Sequence, residues 1–116
     1  MKIKSTKFNG LKIIDGLKFS DKRGYFREIY KKKLFSHNEL VFWCMSKSKK
    51  NVVRGMHLQK KFMQEKYISV VKGKILDVVI DLRYKSKTFG KVFSIILSDR
   101  NSKSIFIPAA EVLLAI

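Results

Sequence analysis

Short segments rich in β-branched and aromatic residues follow one another so closely that little room is left for helices between them. Strands are predicted at Leu11 to Ile14, Val41 to Ser46, Val52 to His57, Tyr67 to Val71, Ile75 to Leu82, Val92 to Leu97 and Ile105 to Ile107. Lys72-Gly73-Lys74 separates two of them at hairpin distance, and Ser86 to Gly90 and Asp99 to Lys103 are polar breaks of loop length. The pattern reads as an antiparallel meander. One short helix is predicted, Lys31 to Leu40. A βαβ fold needs helices of about 10 or more residues between strands, so an all-β sandwich or jelly roll is expected.

At 116 residues the chain suits a single domain with one core, covering 1–116. Its 46% hydrophobic content against 30% charged residues excludes a disordered chain. No apolar run approaches the ~18–20 residues that cross a bilayer, and the start lacks a signal-peptide pattern, which predicts a cytoplasmic protein without membrane contact. Cys44 has no second cysteine to pair with and no ligand spacing, so it is read as a buried apolar residue.

The net charge of +17 raises the possibility of a polyanion partner. The lysines are spread from Lys2 to Lys103, with knots at Lys31-Lys32-Lys33, Lys47-Ser48-Lys49-Lys50 and Lys60-Lys61. None builds a nucleic-acid recognition motif. Nucleic acid is therefore not the expected partner, and a non-enzymatic basic binding module stands as the alternative reading.

Charged residues in strand-rich surroundings are informative, because burying them costs several kcal/mol unless they are paired or used. Four groups stand out: Asp21 to Glu28, Arg54 to His57, Gln64 to Lys66 and Asp77 to Arg83. Alternation puts Phe26 and Glu28 on one face and Asp77 and Asp81 on one face. Arg54 and His57 fall on opposite faces unless Gly55 bulges the strand. Taken singly, each group also fits a charged turn, a core histidine or ion-paired structural carboxylates, with Arg83 or a lysine as the partner of the aspartates.

Together, in this order, the groups resemble the dTDP-4-dehydrorhamnose 3,5-epimerase family, whose pattern runs Asp-x-Arg-Gly-x-Phe-x-Glu, Arg-Gly-x-His, Gln-x-Lys and Asp-Val-x-x-Asp-x-Arg. Lys87-Thr88-Phe89-Gly90-Lys91 and Ile105-Phe106-Ile107-Pro108-Ala109 extend the likeness. The resemblance implies a cupin-type jelly roll and a homodimer. It also implies epimerisation of C3 and C5 of dTDP-4-dehydro-6-deoxyglucose, on the way to dTDP-rhamnose, without cofactor or metal. It assigns His57 as the base, Lys66 as the cation that stabilises the enolate and Asp77 as the supporting carboxylate. Arg23, Phe26, Glu28 and Arg54 match positions lining the nucleotide-sugar pocket, and Phe19 is placed with them. Another keto-sugar isomerase or epimerase of the same fold is the nearer alternative.

Two departures are visible. Where the family has Gln-x-Asn this chain reads Phe42-Trp43-Cys44, and where the family continues with Gly-Phe-x-His-Gly-Phe it reads Ala109 to Ile116. The resemblance thus implies a jelly roll incomplete at its C-terminus, without the tyrosine general acid and the aspartate that orients the base.

Overall fold

The computed structural model describes residues 1–35, 40–57 and 64–109, with the backbone alone for 111–115. Ten strands are described: β1 Lys2–Ser5, β2 Lys12–Asp15, β3 Lys18–Asp21, β4 Gly24–Arg27, β5 Arg54–His57, β6 Lys66–Ser69, β7 Lys74–Asp81, β8 Val92–Ser98, β9 Lys103–Ile107 and β10 Glu111–Ala115. They form one sheet of order β1-β2-β9-β6, a second of order β5-β10-β7-β8 and the separate hairpin β3-β4. Every pairing is antiparallel. The all-β expectation holds, but the meander does not. Late strands β9 and β10 insert between early ones, as in a jelly roll.

The two sheets pack face to face. Val79 and Leu97 of the second sheet meet Ile105 and Ile107 of the first, with Phe8 and Leu11 closing the same cluster. Val79, Leu97 and Ile105 are wholly buried, and each such side chain contributes roughly 1.5–3 kcal/mol. The first sheet also buries its other face. There Ile14 and Phe106 pack under Phe35, Tyr30 and Tyr67, with Phe35 stacked on Phe106 at 5.7 Å between ring centroids. Apolar cover on both sides is why β9 reads Ser-Ile-Phe-Ile without alternation.

Lys72-Gly73-Lys74 does not close a hairpin, because β6 belongs to the first sheet and β7 to the second. The chain crosses between layers there, and again at Asp99–Ser102 between β8 and β9. The two crossings are tied together: Gly73 N donates to Asp99 Oδ2 at 3.0 Å, and Asp99 N to Gly73 O at 3.0 Å. Gly16 marks a further close approach, since a Cβ there would stand 2.9 Å from the carbonyl oxygens of both Glu28 and Ser102.

Three local expectations are corrected. Val41 to Ser46 is not a strand: its residues are exposed and pair with no described strand, so β-propensity there goes unused. Cys44 lies on that stretch and is exposed rather than buried. Of the predicted helix, Lys32–Phe35 form a 3-10 turn rather than an α-helix, and residues 36–39 lie outside the described set. Lysines rather than acids occupy its start, which opposes the helix dipole, and only Phe35 is buried there. Among the described residues no helix is long and apolar enough to cross a membrane.

Candidate active site

The space between the sheets has a polar end, and strand register brings the side chains to it. Residues directly opposite one another in an antiparallel ladder share a face. Lys66, the first residue of β6, pairs with Ile107, whose side chain is in the inter-sheet core. Lys66 therefore faces the second sheet. From that sheet Asp77 points inward beside Val79, two positions along β7, and both are 0% exposed.

His57 reaches the same face through β10. Leu113 pairs with both His57 and Val79, so all three lie at one level of the sheet. Ala115 likewise pairs with both Arg54 and Asp77. Two residues of β10 thus span three of β5, which is a β-bulge at Gly55–Met56. Gly55 has φ of 126°, a value that favours glycine. The bulge resolves what alternation left open, and Arg54 and His57 share the inward face. As members of an edge strand both remain accessible. Arg54 Nε donates to Ser48 Oγ at 2.6 Å and its Nη2 to Lys47 O at 3.1 Å, which steadies the guanidinium.

Asp77 is electrostatically unusual. Burial pushes its carboxyl up to about 7, while the Lys66 ammonium and the Val78 backbone N–H pull in the other direction. Neither of these meets hydrogen-bond geometry, and both carboxyl oxygens are without a partner among the described residues. A buried group left in this state costs stability and is a mark of functional sites. Lys66 and Asp77 face each other between the sheets, with an accessible imidazole on the neighbouring edge. Such a site can take a proton from a carbon acid and hold the resulting negative charge.

The remaining expected residues lie elsewhere. Phe19, Arg23 and Phe26 line a shallow hollow of about 440 Å³ formed by the β3-β4 hairpin alone. The rings of Phe19 and Phe26 pair across the hairpin at 6.4 Å and are 57% and 67% exposed. Arg23 is held by Asp21 at 2.7 Å. Glu28 follows the hairpin, half-buried, with Lys31 at 3.0 Å from its Oε2. Arg27, which the sequence reading did not single out, fixes the hairpin to the first sheet by donating to Val70 O at 2.7 Å and Lys103 O at 3.3 Å. That anchor is four residues, or about 13 Å, along the chain from Lys66. An arginine between Phe26 and Glu28 in a hairpin was the available signal. The structure therefore unites His57, Lys66, Asp77 and Arg54, and sets Phe19, Arg23 and Phe26 apart from them.

Comparison with known proteins agrees with this architecture. The sequence profile of the dTDP-4-dehydrorhamnose 3,5-epimerase family matches residues 5–111. The dTDP-4-dehydrorhamnose 3,5-epimerase of Methanothermobacter thermautotrophicus is 37% identical over 107 residues, covering 89% of this chain and 58% of that protein. The Shigella flexneri protein of the same name is 35% identical and is covered to 63% of its length, so the chain spans about three-fifths of these relatives. A dTDP-6-deoxy-D-glucose-3,5-epimerase of Legionella pneumophila, solved with dTDP-4-keto-L-rhamnose, superimposes with a TM-score of 0.91 at 34% identity. The match covers 98% of this chain and 63% of that one. The epimerase of Sulfolobus tokodaii gives 0.86 at 36% identity, covering 99% and 68% respectively. With its jelly-roll sheets, its register and a profile match over almost all of its length, the chain belongs to the dTDP-4-dehydrorhamnose 3,5-epimerase family.

Proposed function

We propose that the chain works as a cofactor-independent nucleotide-sugar epimerase, inverting C3 and C5 of dTDP-4-dehydro-6-deoxyglucose in dTDP-rhamnose biosynthesis. The observation that carries this reading is the convergence of Lys66, Asp77 and His57 on one inter-sheet face. Both carbons flank the C4 ketone, so removing either proton develops negative charge on the ketone oxygen. His57 takes the proton, Lys66 stabilises the enolate oxygen, and proton return on the opposite face gives the epimer. Asp77, facing Lys66, is the supporting carboxylate of the site. Arg54 grips the diphosphate, a task suited to a guanidinium.

This reading includes a cytoplasmic homodimer. Phe19, Arg23, Phe26 and Glu28 contact the nucleotide sugar, and because the hairpin stands away from Lys66 it serves the site of a second copy. Incubation with the keto-sugar in deuterium oxide tests the proposal: deuterium at C3 and C5 is expected, and none at either carbon under saturating protein contradicts it. Phe42-Trp43-Cys44 supports a second reading, in which another keto-sugar is epimerised, because the polar residues of the family pattern are replaced by apolar ones. Exchange at a single carbon, or only with a different sugar, favours that alternative.

A further inference from the structure

Past the C-terminal end of β7, the loop following Asp81 forms one wall of a hollow of about 550 Å³, and Lys7 and Asn9 form another. That volume lies within the range of small-molecule sites. Lys7, Lys85 and Lys87 line it, and no carboxylate does. None of the three lysines has a hydrogen-bond or ion-pair partner among the described residues. Unpaired lysines are common among the described residues, and these three are set apart by lining one hollow.

The frame beneath the lysines is rigid. Arg83 is neutralised by Asp81 through Nε at 3.0 Å and Nη2 at 3.1 Å, and it also donates to Asn9 O, joining the two walls. Ser86 and Thr88 fix the loop on the same carboxylate. Three uncompensated ammonium groups are thus presented on a fixed concave surface, an arrangement that a multiply charged anion satisfies through charge-assisted hydrogen bonds. A hollow favours a compact anion over an extended polymer backbone.

We propose that this hollow binds a small polyphosphate group, free or as the tail of a nucleotide, through Lys7, Lys85 and Lys87. The proposal is independent of the epimerase reading. Calorimetric titration of the full chain with inorganic tripolyphosphate, and separately with a nucleoside triphosphate, tests it. In Arg54→Ala, which removes the diphosphate contact of the proposed epimerase site, one saturable site is expected. It should weaken on the order of tenfold or more in the triple variant K7A/K85A/K87A, with little change in K31A/K32A/K33A, which loses the same charge elsewhere. Equal affinity for both probes identifies inorganic polyphosphate as sufficient, whereas tighter nucleotide binding identifies the nucleotide tail. Absence of saturable binding, or equal weakening in both triple variants, overturns the proposal. Since the three lysines take no part in the Asp81 network, an unchanged thermal midpoint is expected and separates loss of binding from loss of fold.

Discussion

Asp77 and Asp81 sit four residues apart on the same face of β7, both fully buried, yet they live in opposite electrostatic worlds. Asp81 accepts five hydrogen bonds: two from Arg83 side-chain nitrogens, one from the Arg83 backbone, and one each from Ser86 and Thr88. Burial alone would raise its carboxyl, but these donors hold it well below the usual carboxylate range. Among the described residues Asp77 has no such donors, and burial pushes it up to about 7. Equal burial thus yields a satisfied structural anion in one case and a poised group in the other. Satisfaction of the oxygens decides which, not depth.

Breaking the satisfied side of this pair gives the largest expected effect. Asp81→Ala leaves the Arg83 charge without its partner and should cost about 3–5 kcal/mol in denaturant unfolding. On the poised side, Lys66→Met should slow solvent deuterium exchange into the keto-sugar by ~10²–10³-fold, with unfolding stability little changed. Asp77→Asn should separate stability from function. The folded carboxyl holds its proton up to about 7 against an ordinary value of 3.8, so folding stability falls as pH rises through that window. The amide removes this loss: the variant should be more stable than the parent at pH 8 by on the order of 3–4 kcal/mol, with the gain vanishing near pH 4, while exchange activity drops. Ser86→Ala should be the mildest change, costing about 1 kcal/mol through one lost hydrogen bond to Asp81.

Much of β7 was legible in advance, because alternation over Ile75 to Leu82 is a local property and put both aspartates on one face. Arg83 was one of two partners open to the aspartates, a lysine being the other, and the fold gives it to Asp81. Strand partners were not legible. The Lys72-Gly73-Lys74 turn gives no local sign that it crosses between layers, and β1 and β3, with their lysines and few apolar residues, show little strand character outside the ladder. Lys2–Ser5 becomes a strand because Asp15 to Lys12 offers it a register. Val41 to Ser46 shows the converse, strong propensity without a described partner. At the site, His57, Lys66 and Asp77 were singled out by motif order. Their common face depends on the Gly55 bulge and on β10, which no single segment reveals. Arg27 escaped notice because its partners are backbone carbonyls far away in sequence.

Carbon-13 NMR titration of the Asp77 carboxyl, in the parent chain and in Lys66→Met, tests directly whether the two groups face one another between the sheets. The account predicts a midpoint near 7 in the parent, moving higher once the ammonium is gone. An ordinary carboxylate midpoint that does not respond to removal of Lys66 would contradict it.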